Sequence, residues 1–266
     1  MKRKLINTFF FLIIFIIFSL LGKITFTIFM ALLASLSLRE LITLKYKDKK
    51  LPIEIELLSY IIVIFLTINS FKFSLDYYLF DYRIFGLIFL IYFIPLIVFN
   101  DKKKYGFMDS IYLIAIVLFI GMTFNIIAEY QSYNIYYLLY IIVITYSTRI
   151  FESISNHYIG RYRYKPAITL DKTYEGVASG IALGTFVSSL FYLSFIDNYL
   201  QVYAVVLLTG ILSYLSVVGE LVFTYVKGEF GKKKFSNIIL KNSGILDMMD
   251  SMIFVTFGLL VFTSLV

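Results

Sequence analysis

The residues best suited to chemistry lie between Gly219 and Ser251, near the end of a very apolar chain. The carboxylates Glu220, Asp247 and Asp250 occur there together with five lysines. Charges beside lipid-embedded helices are costly unless they face water, a metal ion or an opposite charge. Mg²⁺ binds through one or two carboxylates together with substrate phosphates. The segment therefore predicts a hard-cation site built from two helices.

Helical spacing places these residues on two faces. Glu220, Thr224 and Lys227 are spaced i, i+4 and i+7, so they share one face of a helix. Asp247 and Asp250, at i and i+3, share a face at the start of the next helix. Helix capping is the alternative role for this second pair, because the helix dipole favours carboxylates at an N-terminus.

The lysines of the segment also have two interpretations. Lys227 lies on the carboxylate face and is predicted to hold phosphate as a point charge. Lys232, Lys233 and Lys234 could do the same, but binding to lipid headgroups and setting the membrane orientation is the alternative that we favour for them.

The elements that position these residues are predicted to be membrane-spanning helices. The 266 residues are 60% hydrophobic and 19% aromatic, with a mean hydropathy of +0.87. Long unbroken apolar runs indicate helices rather than a β-barrel. Without cysteine and with His157 as the sole histidine, thiolate metal sites and multi-histidine zinc sites are excluded. The fold class is therefore all-α, a polytopic transmembrane helical bundle in a single integral-membrane domain, residues 1–266.

About nine spans are predicted from apolar runs long enough for the hydrocarbon core. They are Leu5–Leu21, Ile24–Leu38, Ile55–Ile68, Ile84–Phe99, Ile111–Ile127, Ile135–Thr148, Val177–Phe195, Val202–Val218 and Met252–Val266. If the N-terminus lies on the cytoplasmic side, the 24 Lys and Arg residues fall in segments on that side, except for Lys23, Lys72 and Arg83. This bias predicts a multi-pass plasma-membrane protein whose N-terminus and polar loops are cytoplasmic. It also explains the net charge of +7 without nucleic acid.

The two longest inside loops, 149–176 and 219–251, carry motifs that resemble the phosphatidate cytidylyltransferase (CDP-diacylglycerol synthase) family. The second loop is similar to that family's C-terminal signature without a gap, with matches at Gly219, Leu221, Lys227, Lys233, Gly244, Asp247, Asp250 and Ser251. The first contains Lys172-Thr173-Tyr174-Glu175-Gly176, which resembles half of an upstream family motif. The resemblance covers most of the chain and implies that its catalytic part is residues 149–266.

The resemblance implies a nucleotidyltransferase that joins CTP to phosphatidate, giving CDP-diacylglycerol and diphosphate in phospholipid biosynthesis. The resemblance also implies that Glu220, Asp247 and Asp250 hold Mg²⁺. Whether a monovalent cation binds beside Mg²⁺ is left open. The remaining implied roles are catalysis by Lys227 together with the two aspartates, and substrate binding by a further set: Lys172, Thr173, Glu175, Thr224, Lys233 and Asn242. The implied partners are CTP, phosphatidate and membrane lipids, while a homodimer is left open.

The chain departs from the family signature at several positions, among them Gly228, Lys234, Asn242 and Met248. The upstream acidic residue of the family is also replaced, with Glu152 or Ser153 nearby. These departures keep a diverged, non-catalytic membrane homologue as the second hypothesis. A CTP-dependent enzyme acting on another lipid phosphate is a further alternative. A solute transporter is disfavoured, because the charges cluster at helix ends rather than within the spans.

Overall fold

The computed structural model describes residues 2–46, 51–68, 82–99, 104–164, 169, 172–196, 200–232, 234–235 and 244–265. Over these ranges the chain forms nine α-helices and no strand. They are α1 (Lys2–Leu20), α2 (Lys23–Lys45), α3 (Ile53–Ile68), α4 (Tyr82–Phe99), α5 (Phe107–Tyr133), α6 (Ile135–Tyr158), α7 (Tyr174–Phe195), α8 (Val202–Glu229) and α9 (Leu246–Leu265). The all-α class predicted from the sequence is confirmed.

Each predicted apolar run falls on one of these helices, but nine spans are not confirmed. Six helices, α2 and α5 to α9, are long and apolar enough to cross a membrane among the described residues. The apolar stretches of α1 and α4 are shorter, and α3 has 16 residues. The long apolar helices are consistent with a membrane protein, while its orientation and the type of membrane remain predictions.

Contacts divide the chain into two compact units, one of Met1–Phe11 with Tyr130–Val266 and the other of Leu12–Glu129. In the second unit, buried tyrosines link the helices through hydrogen bonds. The Tyr92 hydroxyl donates to Ser59 Oγ at 2.7 Å, and the Tyr105 hydroxyl donates to the Tyr92 carbonyl at 3.0 Å. Satisfying such hydroxyl groups matters because a buried polar group without a partner destabilises a fold. The prediction of a single domain stays a prediction.

The first unit contains α6 to α9 and all the described residues of the two predicted site loops. A buried hydrogen bond of 2.7 Å joins the Tyr140 hydroxyl on α6 to Thr209 Oγ1 on α8. In the return between α6 and α7, Arg163 and Thr173 form an antiparallel bridge. Backbone hydrogen bonds join the two ends of this return, from the Tyr164 N–H to the Lys172 carbonyl at 2.8 Å and from the Tyr174 N–H to the Tyr162 carbonyl at 2.9 Å.

Candidate active site

Three glycines bring α7 against α6. Gly176, Gly180 and Gly184 recur every fourth residue and therefore line one face of α7. A Cβ atom at Gly180 would lie 2.8 Å from Glu152 Cβ, and one at Gly184 would lie 2.3 Å from Thr148 Oγ1. Small residues permit this close approach of helix backbones in membrane proteins. The α6 face that meets α7 is thereby fixed in position.

That end of α6 carries three polar residues, Arg149, Glu152 and Asn156, at i, i+3 and i+7. Such spacing gathers their side chains on one side of the helix. The uncharged run 135–148 of α6 ends just before them, so they lie in the last part of the candidate span Ile135–Tyr158. This side of α6 faces Lys172 and Thr173, which precede α7, and polar residues of α8 and α9.

A network of ion pairs joins α6 to the later helices. Lys172 contacts Glu152, and its ammonium group also donates to Glu220 Oε2 at 2.9 Å. Arg149 pairs with Asp250 through Nη2, and the same nitrogen donates to Ser251 Oγ at 2.8 Å. Arg149 Nε lies 3.9 Å from Glu220 Oε2. Glu220 is therefore shared by two cations, and the network holds three carboxylates and two positive charges.

Burial makes this network electrostatically strong. The side chains of Lys172, Glu152 and Asp250 are at most 8% exposed, whereas that of Glu220 is 20% exposed. Burial by itself lowers the pKa of Lys172, but the negative charges of Glu220 and Glu152 outweigh it, so the pKa of the ammonium group is raised. Lys172 is thus positively charged at neutral pH, and Glu220 is the carboxylate of this group that water reaches most easily.

The second ion pair ties the end of α8 to the start of α9. Lys227 Nζ donates to Asp247 Oδ1 at 2.6 Å, and Asp247 Oδ2 accepts from the N–H groups of Phe235 and Gly244 at 3.2 and 3.0 Å. The Lys227 ammonium also lies 5.2 Å from the centre of the Phe235 ring, a cation–π distance. Asp247 therefore anchors the chain before α9 in addition to any role in binding.

A glycine sets the local geometry of this pair. Gly231 follows α8 with a φ of +63°, a left-handed conformation that glycine adopts without strain. The N–H of Lys232 then bonds to the carbonyl of Lys227 at 3.0 Å, and the N–H of Gly231 bonds to the carbonyl of Gly228 at 2.9 Å. These two bonds form a Schellman motif that ends α8. Lys227 is thereby fixed in the last turn.

The Lys172–Gly176 motif has a structural part in the site. Asn156 Oδ1 accepts from the backbone N–H and the hydroxyl of Thr173, at 2.9 and 2.6 Å. Thr173 in turn caps α7 by accepting from Gly176 N at 3.1 Å. Glu175 accepts from the N–H groups of Arg161 and Tyr162. These bonds hold the return between α6 and α7 and so place Lys172.

Comparison with known proteins identifies the family of this chain. A sequence profile of the cytidylyltransferase family matches residues 2–266. The chain belongs to the cytidylyltransferase family. Two relatives named phosphatidate cytidylyltransferase, from Staphylococcus saprophyticus and Staphylococcus haemolyticus, are each 27% identical over 256 residues, 96% of both chains. A relative of the same name from Staphylococcus aureus (strain COL) is 31% identical over 155 residues, 58% of this chain and 59% of the relative. The family and the nucleotidyltransferase class predicted from the sequence are confirmed.

In this member of the cytidylyltransferase family, the predicted site residues separate into two groups. Lys172, Glu220 and Asp250 belong to the network around Arg149, while Lys227 and Asp247 form the neighbouring pair. Thr224 lies one turn after Glu220 on α8, and Thr173 with Glu175 holds the return before α7. Lys233 and Asn242 lie outside the described residues, so their roles remain predictions.

Three residues of the candidate site are not among the site residues predicted from the sequence. Arg149 and Asn156 were not identified, and Glu152 was named only as a neighbour of a replaced acidic residue. Their signal was present in the i, i+3, i+7 spacing at the end of an apolar run. The glycine repeat on α7 was a second signal, because small residues at every fourth position predict a close helix contact.

The carboxylates of the candidate site are of the kind that binds a hard cation. Glu220 and Asp250 already face one positive group, the Arg149 guanidinium, so they can serve one cation together. Within the described ranges, no group of three or more His, Cys, Asp or Glu side chains is arranged so that it could hold a metal ion by itself. Mg²⁺ does not need such a cluster, because it retains water ligands and binds through one or two carboxylates plus phosphates. The residues present therefore fit Mg²⁺ in the company of a phosphate substrate.

Proposed function

We propose that this chain is a phosphatidate cytidylyltransferase that joins CTP to phosphatidate at the inner membrane surface. The observation that carries the proposal is the contact of Lys172 with Glu220, 48 residues away and 2.9 Å apart. The two segments that resemble the family motifs thus meet at one ion-pair network. The names of the full-length staphylococcal relatives support the same reaction.

In the proposed reaction, a phosphate oxygen of phosphatidate attacks the α-phosphorus of CTP. A new P–O bond forms, the bond from that phosphorus to the bridging oxygen breaks, and diphosphate leaves with the electron pair. The attacking phosphate is ionised at neutral pH, so a histidine base is not required. Transfer of this kind depends on positioning and on neutralising charge. Lys172 and Arg149 in the network, and Lys227 beside it, supply positive charge for that task.

The proposed metal ligands are Glu220, Asp247 and Asp250. Mg²⁺, when bound, would neutralise negative charge on the CTP phosphates. Lys172 and Lys227 would contribute positive charge to phosphate oxygens, since each lies beside one of these carboxylates. Thr173 and Glu175 support the nucleotide side by holding the return that carries Lys172. Thr224, Lys233 and Asn242 are proposed to contact substrate.

The test uses purified full-length protein, phosphatidate, labelled CTP and Mg²⁺, with products separated after lipid extraction. Label from the cytosine ring in the lipid fraction supports the proposal. Transfer of γ-phosphate label alone would instead indicate a CTP-using lipid kinase, and the absence of any transfer would favour a non-catalytic homologue. Replacing phosphatidate with other lipid phosphates decides which lipid is used.

Variants then test the assignment of the carboxylates. Glu220→Gln and Asp247→Ala should each lower turnover about a hundredfold or more, by loss of charge stabilisation in the transition state. Glu54→Gln is the matched control, because Glu54 is exposed at the start of α3. Turnover unchanged by both site variants would remove this metal site from the proposal.

A further inference from the structure

Arg149 occupies the space between two of the carboxylates that the proposed function assigns to the metal. Its Nη2 contacts Asp250 and Ser251, and its Nε lies 3.9 Å from Glu220 Oε2. The guanidinium therefore neutralises both acidic groups at once. Its side chain is 16% exposed and comes from the end of the apolar part of α6.

The Arg149 guanidinium is incompletely satisfied in this position. Its Nε is buried and has no hydrogen-bond partner. Guanidinium groups carry five donors in a fixed plane, and a buried donor without an acceptor destabilises the arrangement that contains it. The arginine thus holds the carboxylates without using all of its hydrogen-bond donors. This incomplete bonding favours a guanidinium that can be displaced from the carboxylates.

Arg149 in this position and a divalent cation exclude each other. Mg²⁺ binds oxygen at about 2.1 Å, so an ion shared by Glu220 and Asp250 needs the space that the guanidinium now fills. Two positive charges about 4 Å apart also repel strongly in a partly buried site. Binding of the metal therefore requires the guanidinium to leave the carboxylates.

We propose that Arg149 is an exchangeable counter-ion of this site. It holds Glu220 and Asp250 together in the metal-free protein, gives way to the divalent cation, and then carries its charge to an anionic phosphate group of the substrate. The inference rests on the proposed function in one respect, the assignment of Glu220 and Asp250 as metal ligands. It makes Arg149 a competitor of the metal before substrate binds.

The test measures binding of Mn²⁺, a hard cation with an electron paramagnetic resonance signal, to the full-length protein without nucleotide. Arg149→Met should bind Mn²⁺ about tenfold or more tightly than wild type, because a competing charge is removed. Arg149→Lys should remain near wild type. Lys45→Met removes the same charge from a pair with Asp109 elsewhere, and should leave the affinity unchanged. Equal or weaker binding by Arg149→Met overturns the inference.

Wild-type protein supplies a second measurement that does not depend on a variant folding. Phenylglyoxal labelling of Arg149, read by peptide mass spectrometry, should increase several-fold when Mn²⁺ is added, because the guanidinium is released from the carboxylates. Labelling that stays constant or falls contradicts the exchange.

Parallel turnover assays separate this inference from the proposed function. If wild type transfers CMP to lipid but Arg149→Met does not bind Mn²⁺ more tightly, the inference is overturned and the proposed function stands. If Arg149→Met binds Mn²⁺ more tightly but wild type transfers no CMP, the proposed function is overturned and the inference stands. If neither wild type nor variant binds Mn²⁺, the metal site and the exchange are both overturned.

Discussion

Lys227, in the last turn of α8, donates a 2.6 Å hydrogen bond to Oδ1 of Asp247, in the first turn of α9. Both side chains are almost fully buried, at 11% and 7% exposure. The pair has two consequences at once. It neutralises a carboxylate at the proposed metal site, and it fixes how the end of one helix meets the beginning of the next.

Breaking this pair from one side should be costly. Lys227→Met or Asp247→Asn should each destabilise the protein by about 3 kcal/mol, because the remaining charge stays buried without its partner. The double variant should recover much of this loss. Thermal unfolding of the detergent-purified variants measures the cycle. If the double variant recovers stability but not turnover, the pair also serves the reaction. If the losses of unfolding free energy in the single variants add up in the double variant, the ion pair is contradicted.

The close contact of α6 with α7 should not tolerate a methyl group. Gly180→Ala places a Cβ 2.8 Å from Glu152 Cβ and 2.9 Å from the Thr148 carbonyl oxygen. We expect overpacking to lower the free energy of unfolding by about 1–3 kcal/mol. Turnover should also fall, because Glu152 is displaced. The control is Gly86→Ala on α4, where a Cβ meets nothing within 4 Å. Similar stability of the two variants would contradict the tight packing.

Asn156 should act as a positioning residue through Thr173. Asn156→Ala removes the acceptor of two hydrogen bonds and leaves the Thr173 N–H without its partner. A cost of about 1–3 kcal/mol is expected, with lower turnover because Lys172 is displaced. Asn156→Asp keeps an oxygen acceptor and should restore most of both. Measuring KM for CTP and kcat in the two variants checks this. If Asn156→Asp is as defective as Asn156→Ala, the acceptor role is contradicted.

Alkaline pH should weaken one contact in the other unit. Burial raises the pKa of Tyr46, and the nearby Asp109 carboxylate, which accepts from its hydroxyl at 2.9 Å, raises it further. In the unfolded chain tyrosine ionises near pH 10, so the contribution of Tyr46 is complete below that pH and falls as the pH rises above it. The stability difference between wild type and Tyr46→Phe, about 1 kcal/mol near neutral pH, should shrink above about pH 10. A difference that stays constant to pH 11.5 would contradict this linkage.

The fold was predictable from the sequence to the extent that apolar length decides it. Each apolar run lies on a helix, because in lipid the backbone must satisfy its own hydrogen bonds. The number of spans was not decided in this way, since α3 has only 16 residues. Helical spacing groups Glu220 with Lys227 and Asp247 with Asp250, whereas the ion pairs place Glu220 and Asp250 around Arg149 and join Asp247 to Lys227. Which cation each carboxylate meets was not predictable, since Arg149 and Asp250 are 101 residues apart.

The contact between α6 and α7 also bears on how the protein is made. These two helices and the return between them are synthesised before α8 and α9, and together they contain both members of the Glu152–Lys172 pair. The carboxylate partners of Arg149, Glu220 and Asp250, are synthesised later. We therefore expect the hairpin to enter the bilayer as an early, positively charged intermediate that recruits the last two helices by attraction.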